Sequence, residues 1–362
     1  MSPTPVFDAH VDSLQRQLDL GHDLGERTEG HLDLVRGREG GLAAAVFVCW
    51  VDPALEGSPA RAQALLDEFH VLAGKHPDRL GFAGNVRMLD EVQRRGAIAG
   101  IPGIEGGHAI EESLDRLRAF FDRGVRVLTL VWNNHLSWIR SCRDGAGAGV
   151  PEGLSAFGRS VVRSMNELGM VVDLSHAGER SFYDAIETSR APVLASHSGC
   201  KALHDHPRNL TDAQLRELGR SGGVVGIPFC VAFLSKEAQE EDARLRETAA
   251  YRALGGRDET ERTLLQGRFL QREARPLPLD RVVDHALHAI EVAGIDHVGI
   301  GSDYDGIART PYGLEDASCY GRLGERLRER GLAAEDVEKL FHANVRRVFA
   351  EATGPSTLAG GA

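Results

Sequence analysis

At 362 residues, with 42% hydrophobic side chains, the chain can close a large core without disulfides. Its 42 basic and 53 acidic groups give a net charge of −11, which sets aside nucleic acid and an anionic membrane surface as partners. Five dispersed cysteines without a CxxC pair, no apolar run near the roughly 20 residues a membrane span needs, and an opening MSPTPVFDAH without a basic and apolar leader lead us to expect a cytoplasmic protein with reduced thiols.

Eight short apolar runs of buried-strand character follow in chain order. They are Pro5–His10, Leu42–Val51, Ala97–Ile104, Val125–Trp132, Met170–Val172, Pro192–Ala195, Gly223–Phe229 and His297–Asp303. Between them, Ala60–His76, Ser113–Arg123, Phe157–Leu168, Thr211–Gly219 and Leu279–Ala293 space their apolar residues by three and four, the amphipathic helix pattern. Ala177–Arg190 has the length of one crossover helix. This alternation predicts a single-domain α/β chain, a (β/α)8 TIM barrel over residues 1–350, with a doubly wound open sheet as the alternative. Two stretches depart from it. The charge-rich Leu234–Arg275 reads as a helical insertion after the seventh strand, serving as a cover for the barrel mouth or a subunit contact. Residues 351–362 read as a flexible tail.

Metal-suited residues collect where these strands end. His10 and Asp12 form an H-x-D pair after the first strand, and Glu105 follows the third between glycines. His176 ends VVDLSH, and His197 lies in ASHS. Asp303, in GIGSDYDG, reads as a metal ligand or a general base; Asp305, before Gly306, reads as turn chemistry and His108 as a loop residue. In a barrel all of these reach one rim. Nitrogen and oxygen donors without thiolate suit Zn²⁺, and three imidazoles with three carboxylates suit two ions sharing Glu105 better than one. Arg208, in HPRNLTD, is placed to select a substrate carboxylate by paired hydrogen bonds.

FDAHVD, GIEGG, VVDLSH, ASHS, RNLTD, GIGSDYDG and GLEDASCY, in that order from Phe7 to Phe349, together resemble the membrane (renal) dipeptidase family, the M19 metallopeptidases of the amidohydrolase superfamily. The resemblance implies a homodimeric dipeptidase that accepts a D-residue at the C-terminal side of its substrate. It implies one zinc held by His10, Asp12 and Glu105 and a second by Glu105, His176 and His197, with a bridging hydroxide attacking the dipeptide carbonyl. Asp303 is then the general base and acid, and Arg208 holds the carboxylate. The segment Thr129-Leu130-Val131-Trp132 departs from the animal pattern, which has a substrate-binding histidine where Trp132 stands. His135, three residues on, is the expected substitute. An N-acyl-D-amino acid deacylase, or a metal-binding protein without peptidase activity, remains the alternative on this scaffold.

Overall fold

The computed structural model describes residues 3–55 and 57–354. Nine parallel strands form one sheet: β1 (Val6–Val11), β2 (Leu42–Trp50), β3 (Leu80–Phe82), β4 (Ile98–Glu105), β5 (Val127–Thr129), β6 (Val171–Asp173), β7 (Leu194–Ala195), β8 (Val224–Ile227) and β9 (Val298–Ile300). Pairing of β2 with β4, from Ala44↔Ala99 to Trp50↔Glu105, closes eight of them into a (β/α)8 barrel. The ninth, β3, pairs with Ile98–Gly100 at the start of β4; β5 takes over the same edge from Gly103. Its three residues are too short for any alternation to show in the sequence. The helices expected from periodicity appear as Ser58–Lys75, Leu114–Asp122, Ala156–Leu168, Asp212–Arg220 and Asp280–Ala293, each end within two residues of the expectation.

Alternate residues of each strand face the barrel interior. On β4, Glu105 shares its inward face with Gly103, Ile101 and Ala99; on β2, Trp50 shares it with Val48, Val46 and Ala44. The interior is therefore layered. Phe7, Val46, Ile101, Val127, Val171, Leu194 and Val224 form an apolar floor near the strand starts. Above them comes a polar middle layer with Thr129, Asp173 and Ser196. Ser196 projects its carbonyl so far inward that a Cβ at Gly226 or Gly301 would overlap it. The pairing of β1 with β2 shifts register between Asp8 and Val11, a bulge that re-aims the end of β1.

The chain end corrects the expected tail. Residues 351–353 belong to a helix, Asn344–Thr353, whose Val345, Val348, Phe349 and Ala352 join the apolar floor and close the barrel's lower end. Residues 355–362 lie outside the described residues. The charge-rich stretch after β8 forms the helices Lys236–Arg246, Ala249–Arg252 and Glu259–Glu273, capped by Ser235, Thr248 and Asp258. Glu259–Glu273 leans over the carboxyl rim, where Thr260 Oγ1 donates to Asp19 at 2.5 Å and Arg268 pairs with Glu29 at 2.7 Å. No helix among the described residues is long and apolar enough to cross a membrane.

Candidate metal centre and active site

The strand ends bring together the six residues singled out in the sequence. Glu105 Oε1 lies 2.8 Å from His176 Nε2, 3.4 Å from His197 Nε2 and 3.8 Å from His10 Nε2. His176 and His197 approach each other at 3.1 Å through the same nitrogens. Asp12 Oδ2 is 3.3 Å from His10 Nε2. Donor atoms of His10, Glu105 and His197, and of His10, Asp12 and Asp303, each lie within 4.8 Å of one another, all buried. His10 belongs to both groups, and Glu105 Oε1 reaches all three histidines. His176 and Asp303 both have left-handed backbone, φ 68° and 62°, a strained conformation for residues with side chains.

A buried layer beneath sets the tautomers. Asp173 accepts from Thr129 Oγ1 at 2.6 Å, Ser175 N at 3.1 Å, Ser196 N at 2.8 Å and Ser196 Oγ at 2.7 Å. With its only proton given to Asp173, Ser196 Oγ accepts from Nδ1 of His197 at 2.8 Å and of His10 at 3.3 Å. His176 Nδ1 donates to Asn133 Oδ1 at 3.0 Å. When neutral, all three imidazoles therefore turn an Nε2 lone pair toward the carboxylates. Lone pairs converging on carboxylate oxygens repel unless cations lie among them. Among the described residues, His10 Nε2 and Asp12 Oδ1 are accordingly buried without a hydrogen-bond partner. The donors fit divalent ions. Asp173 and Asp8 were not legible as site residues; Asp8 accepts from His10 N at 3.1 Å, Ser302 N at 2.9 Å and Tyr320 Oη at 2.5 Å. Such outer supports commonly carry 10- to 100-fold in metal affinity. Asp173→Asn is expected to weaken metal binding by about that factor in a chelator competition; unchanged affinity would show that the tautomer network is dispensable.

The electrostatics agree with this demand for cations. Burial opposes a charged His10, yet Asp12 and Glu105 outweigh it and raise its pKa to about 10. Burial, together with neighbouring Asp12 and against His10, pushes Asp303 up to about 8. Burial also lifts Glu105 well above the carboxylate range. His176 and His197 are held well below the usual imidazole value by burial and then by the nearby cationic groups.

These residues open onto a cavity of about 690 Å³, walled by Trp50 and Trp132 on one side and by Thr263, Leu264 and Gly267 of the insertion on another. The insertion thus forms part of the mouth. Trp132 packs edge-on against Trp50 with centroids 5.2 Å apart and sits 6.1 Å from the His176 ring. His135 is not brought to this cavity. Its Nδ1 accepts from Ser141 N at 3.2 Å, which folds it back onto its own loop. Arg208 is buried, donates from Nη2 to the His197 carbonyl at 3.1 Å and, among the described residues, has no partner for Nε. It faces an adjoining cavity of about 500 Å³ that shares Arg143 and His176 with the first. The helix following Arg208 is capped by Thr211 in a reciprocal pair with Gln214. His108 ties its loop to the Val51 carbonyl at 3.0 Å.

Asp305 is more than a turn residue. Although its φ is 70°, its carboxylate is buried and accepts from Ser13 Oγ at 2.5 Å, Arg16 Nη2 at 2.8 Å and His31 N at 2.6 Å. It clasps the loop after β9 to the loop after β1, beside Gly306. A side chain at Gly306 would overlap the carboxylates of Asp12 and Asp303.

A (β/α)8 barrel with three imidazoles and three carboxylates on its carboxyl rim defines the class as a metallohydrolase barrel. The profile of the membrane dipeptidase family (peptidase family M19) matches residues 1–357, and the chain belongs to that family. It is 32% identical over 368 residues to an uncharacterized dipeptidase of Schizosaccharomyces pombe, covering 95% of this chain and 79% of that one. The crystal structure of dipeptidase AC, a metallopeptidase of family M19, superposes with a TM-score of 0.81 at 28% identity, covering 97% and 99% of the two chains. A metallopeptidase from Rhodobacter sphaeroides, liganded with a phosphinate mimic of the dipeptide L-Ala-D-Ala, gives 0.80 at 27% identity, again over 97% and 99%.

Proposed function

We propose that the protein is a dipeptidase using two zinc ions, held by His10, Asp12, Glu105, His176 and His197 with Glu105 shared. The observation that carries this reading is the convergence of three imidazole Nε2 atoms on one oxygen of Glu105. When bound, such ions polarise a carbonyl and make water acidic enough to react at neutral pH. Asp303, buried on the rim with its carboxylate within 4.8 Å of the His10 and Asp12 donor atoms, is suited to take a proton from attacking water and pass it to the departing amine. Arg208 binds the free carboxylate of the substrate, consistent with an Nε that has no partner among the described residues. Acceptance of a D-residue at the C-terminal position is supported by the ligand of the Rhodobacter sphaeroides relative.

The test is a panel of L,L and L,D dipeptides beside N-acetyl-D-amino acids, on enzyme of measured metal content. Dipeptide turnover that a chelator removes and zinc restores is expected. Turnover confined to the N-acetyl compounds would move the assignment to a deacylase, and two metals without turnover to a binding protein. Asp303→Asn is expected to lower kcat by about 10²–10⁴-fold, the usual worth of a positioned acid–base group. Metal content should stay within a factor of two of wild type, at roughly two ions per chain. Joint loss of metal and activity would instead make Asp303 a ligand.

A further inference from the structure

The main cavity is electrically lopsided. Asp12, Glu105 and Asp303 make one side acidic, whereas Arg143 lines the cavity beside His176 and Arg208 faces the adjoining cavity that shares both. His206 is only 6% exposed and belongs to the cavity wall. Its ring lies 4.8 Å from the Phe233 centroid at 32°, and the Arg208 guanidinium sits 5.2 Å from the same centroid. One aromatic ring thus carries both cation and imidazole. The His206 Nδ1 accepts the backbone N–H of Arg208 at 3.2 Å, which leaves the ring proton on Nε2. Among the described residues no protein group accepts from that Nε2.

We propose that His206, in the wall of the main cavity, is a substrate-binding residue whose Nε2–H hydrogen-bonds one oxygen of the substrate's free carboxylate where that cavity meets the adjoining one, from which Arg208 takes the other oxygen. This rests on the reading of Arg208 as the carboxylate-binding residue. Burial, then His204, Arg208 and Arg143, hold the His206 pKa down to about 4, so the ring stays neutral and presents a fixed donor at neutral pH. An acid is thereby oriented by a cation and a directional N–H, and the scissile bond is turned toward the acidic side.

The experiment compares a free-acid dipeptide with its C-terminal amide on metal-replete wild type, His206→Asn, His206→Gln and Arg208→Met. Asparagine keeps an acceptor for the Arg208 amide but cannot reach the Nε2 position; glutamine places a donor there. We expect His206→Asn to cut the preference for the free acid by about 10- to 100-fold, mostly through KM, as for a lost hydrogen bond to a charged group. His206→Gln should retain most of the preference, and Arg208→Met should abolish it. A preference lost in Arg208→Met but intact in His206→Asn overturns the role of His206 alone. Equal losses on acid and amide in both His206 variants mark a structural residue and also overturn it. Should Arg208→Met leave the preference intact, the reading of Arg208 fails. If the asparagine variant does not fold, His206→Phe, which keeps the stack on Phe233, takes its place.

Discussion

Glu105→Gln is expected to abolish turnover, by at least about 10³-fold, and to strip metal from the protein. Three imidazole lone pairs point at Oε1 of this one carboxylate, so it is the group through which both halves of the site are joined. Glutamine preserves the volume and removes the charge. Its amide can offer an N–H to one histidine, which replaces a cation's role at one donor and leaves the others opposed. Elemental analysis should find less than one metal per chain in the variant. A full complement of two ions with unimpaired turnover would show that the ions lie elsewhere.

The second large effect concerns stability. Asp305→Ala leaves the Arg16 guanidinium, whose side chain is 4% exposed, buried without its carboxylate. Breaking such a pair costs about 3–5 kcal/mol, which denaturant unfolding can read directly. Arg16 retains contacts to Thr28 Oγ1 and the carbonyls of Glu29 and Leu32, but these accept hydrogen bonds without neutralising charge. The pH dependence has a definite sign. Burial opposes ionisation of Asp305, yet Arg16 and His31 hold its pKa below the ordinary aspartate value. A carboxylate with a lowered folded-state pKa contributes stability that is complete above its unfolded value and is lost as pH falls through the folded one. Wild type should therefore lose stability on acidification through that window, and Asp305→Ala should lose less. Equal acid sensitivity of the two proteins would exclude the clasp as its source.

The strands and the rim residues at their ends were legible for a shared reason. A parallel strand buried on both faces is a continuous apolar run, and the barrel places its polar chemistry where each run stops. His176 and His197 could thus be paired across a crossover without knowing the fold. Asp173 was not legible, because VVDLSH gives no sign that its aspartate receives the hydroxyl of Ser196, two strand positions away in space and 23 residues along the chain. His135 was misjudged through nearness in sequence: three residues from Trp132, it is drawn back by Ser141, while His206 reaches the cavity from another loop. The end of the chain was misjudged on composition. AEAT resembles a loose tail until Phe349 and Ala352 are seen inside the barrel. Asp305 showed its turn but not its ion pair, since Arg16 lies 289 residues away.

The helix Asn344–Thr353 makes the barrel a cup with a stopper. Among the described residues the lower end is filled, so a ligand enters and leaves by the opposite rim, part of whose frame is the segment Glu259–Glu273. Changes along that frame will alter how quickly the vessel empties, even where the chemistry at its base is untouched.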